Sequence, residues 1–484
     1  MLGLFGCLAM SAATVTIATP HTTMLLSAEN GKAPGMLYYG TRLSETDAAA
    51  VGKSLVPVEL YPVYGMTTQT ETALSVTHAD GNKTTGLVVT DVSTRQEGNS
   101  PITVVEMKDT VYPFLVSLNY RTYPDTDIIE TWTEITNKEK KPVLLERYVS
   151  AHVPVRRGDV WLSHLYGSWA NEGRVAAEPL LPGVKTIKNK DGVRNSHTAH
   201  AEVMLSLNGK PDELNGPVMG AALCYSGNYK LSIDTDDGEY HHLFAGINED
   251  DSSYKLKSGE TFRTPALALT YSDKGCSGVS RNYHSWCRKY KLMHGNDRRK
   301  VLLNSWEGVY FNIDEATICR MIDQCADMGC ELFVMDDGWF GDKYQRNSDN
   351  TSLGDWSVDK RKLPGGLTAL VEKANSRGIG FGIWIEPEMT NTDSELYEKH
   401  PDWVVRPRGR QPVTGRGGTQ LVLDLSNPQV QDYVFGVVDN LMNECPGIEY
   451  IKWDANMGIQ NHGSAYIASD RQSHLYIDWH RGFA

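Results

Sequence analysis

Residues 314–339 read DEATICRMIDQCADMGCELFVMDDGW. Ile318, Met321, Ile322 and Cys325 recur at helical spacing, so Asp314–Met328 is predicted as an amphipathic helix that Gly329 stops. Glu331–Met335 follows as a short apolar strand and ends in the acidic pair Asp336-Asp337. The same grammar recurs on both sides. Val301–Trp306 (VLLNSW) reads as a strand. A helix runs from about Pro364, a good first-turn residue, to Arg377, and Gly378 ends it. Gly380–Ile385 (GFGIWI) is the next strand and runs into Glu386-Pro387-Glu388. Pro428 opens a helix with Val430, Val434, Val437 and Leu441 on one face. Tyr450–Asp454 (YIKWD) is a fourth strand, and a last helix from about Asp470 carries Leu475, Trp479 and Phe483.

Alternating strands and helices imply a parallel sheet, doubly wound or closed into a barrel. Polar residues stand at the C-terminal end of each strand: Asn304, Asp336, Glu386 and Asp454. A (β/α)8 barrel places its active site there. A doubly wound sheet usually adds a Gly-rich phosphate loop, and none follows these strands. Four strands are found after Leu302 where a barrel needs eight, so this half reads as about four βα units, the first half of a TIM barrel.

Upstream of about residue 290 the grammar is β. Thr85–Val92, Ile102–Met107, Phe114–Tyr120 and Ile128–Ile135 are short and rich in Val, Ile, Thr and aromatics. Turn signals at Asp80-Gly81-Asn82, Asn99-Ser100-Pro101, Pro124-Asp125 and Asn137–Lys141 separate them. Many short strands predict an antiparallel β-sandwich; helical patterning first appears at Ser277–Tyr290. The expected organisation is multidomain: 14–290 a β-sandwich, 291–484 the catalytic barrel half. Residues 1–13 (MLGLFGCLAMSAA) read either as a clipped signal peptide or as a first strand, since no basic residue precedes Lys32. The first reading implies a periplasmic or secreted protein, the second a cytoplasmic one.

Forty-seven basic against 60 acidic residues give a formal charge of −13, which argues against a nucleic-acid surface. No apolar run reaches the ~18–20 residues of a membrane span. The eight cysteines form no CxxC pair, and no His spacing completes a zinc site, so neither metal, cofactor nor disulfide framework is expected.

Alternation along YIKWDAN puts Tyr450, Lys452 and Asp454 on one strand face. A Lys beside an Asp at a barrel mouth favours the ionised carboxylate, which a glycosidase nucleophile needs; a buried structural Lys–Asp pair fits the spacing equally. Asp336 and Asp337 read as hydrogen-bond acceptors for vicinal sugar hydroxyls, or as a loop turn or helix cap. Trp306, Trp339 and Trp384 read as apolar walls for a pyranose, or as core.

The motifs NSWE (304–307), MDDGWFG (335–341), LGDW (353–356), GIWIEPEM (382–389), LVLDLSNP (421–428) and KWDAN (452–456) occur in this order. Together they resemble family 36 of the glycoside hydrolases, best known for bacterial α-galactosidases with some α-N-acetylgalactosaminidases. DIIETWTEITN (127–137) and SHLYGSWANE (163–172) resemble the family's N-terminal domain, so the likeness covers most of the chain. The resemblance implies retaining hydrolysis of terminal α-galactosyl residues, with Asp454 as nucleophile. It also implies that Lys452, Asn456, Asp336 and Asp337 hold hydroxyls, and that Trp306 and Trp384 line the subsite. Arg416 is the candidate for the family's arginine, although Gly417-Gly418-Thr419 separate it from Gln420. Oligomers, tetramers among them, are common in the family. Its acid/base aspartate lies well downstream of the nucleophile, whereas the sequence runs 30 residues past Asp454. Asp470 and Asp478 fall in a helical pattern, so the expectation is a fragment that lacks the acid/base and is inactive alone. A non-catalytic carbohydrate-binding pseudoenzyme is the alternative from another class.

Overall fold

The computed structural model describes residues 14–484 except 66–69 and 236–237. The signal-peptide reading of residues 1–13 lies outside the described residues. Contacts divide the chain into two compact units. One comprises residues up to Asn296 without 191–194; the other comprises Asp297–Ala484 with Asp191–Arg194.

The first unit is built of antiparallel strands in a ten-stranded, a six-stranded and a four-stranded sheet. In the ten-stranded sheet Leu87–Glu97, Ser100–Asp109, Phe114–Thr122 and Ile128–Asn137 pair in sequence. Alternation decides which face is inward: Phe114, Val116 and Leu118 are buried, and Leu115 and Ser117 between them are not. The six-stranded sheet packs face to face against it. Tyr148 stacks edge-on to Phe262 at 5.0 Å, and the buried Thr133 hydroxyl donates to Ser150 O at 3.0 Å. Two local expectations are corrected. Pro101 lies within a strand, because Gly98 at φ +59° lets Gly98-Asn99 make the tight hairpin alone. An unanticipated helix spans Glu45–Ser54, where the Ser44 side chain accepts from Asp47 N and an Ala-rich run follows.

In the second unit four parallel strands pair in chain order: Leu302–Asn304, Leu332–Met335, Gly380–Ile385 and Ile448–Trp453. Helices Glu315–Asp327, Gly366–Ser376 and Pro428–Glu444 lie between or beside them, and bury Ile318, Ile322, Leu370, Val430 and Val434 with the strand residues Phe333 and Phe381. Asp314 caps the first helix by accepting from Thr317 N. Pro364 does not open the second helix; Gly365 is its N-cap, and Gly366 at φ +72° makes the turn into it. Trp306 starts a short helix instead of ending a strand, since Asn304 Oδ1 accepts from Trp306 N at 2.7 Å and turns the backbone. The expected helix at Asp470 begins as a 3-10 turn, Ser469–His474, with the α-helix confined to Leu475–Phe483.

Candidate active site

The acidic residues at the strand ends converge. Asp336 and Asp337 follow the second parallel strand, Glu386 and Glu388 the third, and Asp454 the fourth. Asp454 N still donates to Ile385 O at 3.0 Å, so the last ladder bond fixes the residue's backbone although it lies one position past the strand.

Each carboxyl group has its own partners. Asp336, buried, accepts from Asn304 Nδ2 at 2.6 Å and from Lys452 Nζ at 2.8 Å. Lys452 therefore pairs with Asp336 across the third strand, which corrects the expectation that it would pair with its near neighbour Asp454. Asp337 is gripped by both arms of one guanidinium: Arg346 Nε reaches Oδ1 at 2.9 Å and Nη2 reaches Oδ2 at 2.7 Å. Arg346 is fully buried and lies against the rings of Phe311 and Phe340. Burial pushes the Asp337 carboxyl above its usual range, and Arg346 opposes that shift.

Asp454, half-buried, is held by neutral donors. Trp384 Nε1 reaches Oδ2 at 3.1 Å, Asn456 Nδ2 reaches Oδ2 at 2.7 Å, and Ala455 N reaches Oδ1 at 3.1 Å. Asn456 is oriented in turn by Arg416 Nη2, which donates to its Oδ1 at 2.7 Å, and by Arg194 Nη1, which donates to its carbonyl at 3.2 Å. Glu386 Oε1 accepts from Asn456 N at 2.6 Å, and Glu388 Oε2 accepts from Trp453 Nε1 at 2.6 Å. Both glutamates are buried. Burial, with Asp454 and Asp337 adding to it against the Asn456 N–H and Arg346, pushes the Glu386 carboxyl up to about 8. Burial and then Glu386 raise Glu388 well above the carboxylate range.

The expected tryptophans fare differently. Trp384 is almost wholly buried beside Phe340 and Trp356, so what it offers the site is its indole N–H. Trp339 is core, and its N–H donates to Trp384 O at 3.0 Å. Trp306 is part-buried against Tyr310 and Phe311. Other motif acids serve the backbone: Asp355 accepts from Glu395 N and Leu396 N at a helix start, and Asp424 accepts from Ser426 and Ser464. Arg346 and Glu388 were missed as site residues. Two acids directly after the wholly apolar GFGIWI strand were the available signal for Glu388; Arg346, inside a long loop, gave none. Among the described residues no cluster of three metal-ligating side chains exists, and no helix is long and apolar enough to cross a membrane.

Two family models match the sequence: the glycosyl hydrolase family 36 N-terminal domain over residues 32–257, and melibiase over residues 261–479. The chain is similar to α-galactosidase AgaA of Geobacillus stearothermophilus, 35% identical over 440 residues, covering 86% of this chain and 59% of that protein. It is also similar to an α-galactosidase of Lactobacillus acidophilus, 33% identical over 393 residues, covering 81% of this chain and 52% of that protein. The chain thus spans less than two thirds of either relative's length. Among solved structures, the galactosidase domain of an α-galactosidase–sucrose kinase superposes with TM-score 0.86 at 30% identity, over 97% of this chain and 68% of that one. A variant of the Geobacillus stearothermophilus enzyme, crystallised with 1-deoxygalactonojirimycin, gives TM-score 0.90 at 29% identity, over 97% and 69%. A further variant of that enzyme was crystallised with stachyose.

Proposed function

The chain belongs to glycoside hydrolase family 36, and from that premise we propose that it is the nucleophile-bearing part of a retaining α-galactosidase acting on raffinose- or stachyose-type α-galactosides. Asp454 is the nucleophile. In the retaining reaction a carboxylate attacks the anomeric carbon, a glycosyl-enzyme ester forms, and water then releases the sugar; the leaving oxygen is protonated by a second carboxyl ~5–5.5 Å away. Asp454 is the first of the two. Lys452, Asp336 and Asp337 hold ring hydroxyls, Asn456 and Arg416 orient the nucleophile, and Trp306 stands at the subsite's edge. The four parallel βα units are read as half of a (β/α)8 barrel whose strand ends form the sugar site.

The observation that carries the proposal is the way Asp454 is held. It is the one strand-end carboxylate bonded only by neutral N–H donors and only half-buried, with no ion pair among the described residues. Asp336 and Asp337 are committed to Lys452 and Arg346. A carboxylate that must donate an electron pair to carbon is served by donors that orient it without taking up its charge.

The test is Asp454→Asn and Asp454→Ala in the full-length protein with an aryl α-galactoside. Both variants are expected to lose about 1,000-fold or more in turnover. Azide is expected to rescue the Ala variant by attacking from the vacated face, giving a β-galactosyl azide. Turnover near wild type in Asp454→Asn sinks the assignment.

A further inference from the structure

We propose that Glu386 and Glu388 are positioning residues that clamp the nucleophile's segment from both sides, and that Glu386 does so as a neutral acid. This inference rests on the glycosidase reading of Asp454. The two glutamates come from the turn after the third parallel strand, and the residues they hold come from the end of the fourth. Glu388 takes the indole N–H of Trp453, immediately before Asp454, at 2.6 Å. Glu386 takes the backbone N–H of Asn456, two residues after it, at 2.6 Å. The Asn456 side chain then reaches back to Asp454 Oδ2 at 2.7 Å. A shift of either glutamate would therefore pass to the nucleophile through one intervening residue, Asn456 or Trp453.

Burial decides the charge state. Both side chains are removed from water, at 1% and 2% exposed. The groups facing Glu386 are Asp454, Asp337, Glu388 and Arg346. Of the site's cations, Arg346 is spent on Asp337 and Lys452 on Asp336. Glu388 Oε1 has no hydrogen-bond partner among the described residues. An ionised carboxylate left without a cation in such a place is strongly disfavoured, so the proton stays on. The consequence for chemistry is direct: a neutral Glu386 supplies geometry beside Asp454 without adding a second negative charge. Its ionisation would place a second negative charge against the nucleophile. Glu386 is not the leaving-group acid in this inference, because it is buried within the protein and holds the nucleophile's own segment.

The test compares Glu386→Gln, Glu386→Ala and wild type in the full-length protein by three readouts. The first is infrared spectroscopy at neutral pH, where ordinary carboxylates are ionised. Wild type is expected to show a protonated carboxylic acid band that weakens in Glu386→Gln and titrates near pH 8. The second is the pH profile of kcat, whose alkaline limb should move upward in Glu386→Gln, because the amide keeps the acceptor and cannot ionise. The third is the split of constants: Glu386→Ala should lower kcat by about 100-fold with KM changed far less, and Glu386→Gln should lower it much less than Ala does. An ionised Glu386 would contribute no such band, and a merely structural glutamate would move neither the limb nor the split of constants. Labelling with a galactose-configured cyclitol aziridine separates the two levels of the argument. No ester on Asp454 in wild type overturns the glycosidase reading. A wild type that labels on Asp454, while band and limb are the same in Glu386→Gln, overturns this inference alone.

Discussion

The buried pair Arg346–Asp337 offers the largest energetic handle on the site. Arg346→Met keeps much of the side chain's volume between Phe311 and Phe340 and deletes four hydrogen bonds: two to Asp337, one to Thr351 O at 2.9 Å and one to Asn391 Oδ1 at 3.2 Å. Asp337 is 4% exposed and would be left in the protein without its cation. Breaking a buried pair by removing one partner typically costs about 3–5 kcal/mol, because the remaining charge is uncompensated. For a unit of this size that corresponds to a drop in Tm of roughly 10 °C. Adding Asp337→Asn in the same chain removes the stranded charge, so more than half of the loss should return.

The assay is urea and thermal unfolding of wild type, the two single variants and the double variant. A pH series adds a sign. Without Arg346 the Asp337 carboxyl rises further above its usual range, so the deficit of Arg346→Met is smallest in acid and widens as pH rises past the wild-type Asp337 value, which already lies above the ordinary carboxylate range. A loss under about 1 kcal/mol in Arg346→Met, or an equal loss in the double variant, would refute the view that this pair is a mutually dependent buried unit.

Asp336→Ala strands Lys452 and the Asn304 amide, and should weaken galactose binding by about 1–3 kcal/mol in calorimetry; unchanged affinity returns Asp336 to a purely structural role. Lys362 Nζ donates to the carbonyls of Phe311, Gly338 and Arg346 at 3.2, 2.8 and 2.8 Å, so Lys362→Met should cost roughly 2–3 kcal/mol and release the loop that carries Arg346. Loss of protection at Arg346 in hydrogen exchange, before global unfolding, is the accompanying sign. Glu386 has a raised folded pKa, so its contribution to stability is full below about pH 4.5 and is lost as pH rises to about 8; Glu386→Gln should flatten that slope in thermal scans, and an unchanged slope would count against it.

Legibility followed the range of the signals. The parallel strands and their helices were readable because apolar spacing is local: Ile318, Ile322 and Cys325 are the buried face of their helix, as their spacing predicts. Strand-end acids were readable for the same reason, since a strand of known length ends at a known residue. The partners of those acids were not. Lys452 is two residues from Asp454 in sequence yet bonds Asp336, because its long side chain crosses the third strand's end. Arg346 sits in a loop with no periodicity, and only the fold brings it between two rings and onto Asp337. The helix at Glu45–Ser54 was legible but passed over, since Ser44 and Asp47 form a capping signature ahead of Asp47-Ala48-Ala49-Ala50.

Five carboxyl groups at the end of one small sheet would repel one another if all were ionised, and the structure separates them by three distinct means. Asp336 and Asp337 are each paired with a cation, Lys452 and Arg346. Glu386 and Glu388 are buried away from cations, and that burial favours the protonated form. Asp454 alone is half-exposed and bonded only by amide and indole N–H groups. Asp454 is thereby left without a cation among the described residues, while its neighbours fix it in place. Any change that moves a cation onto Asp454, or a charge onto Glu386, works against that separation. Sugar affinity and turnover should then part company: hydroxyl contacts through Asp336 and Asp337 survive, while attack by Asp454 slows.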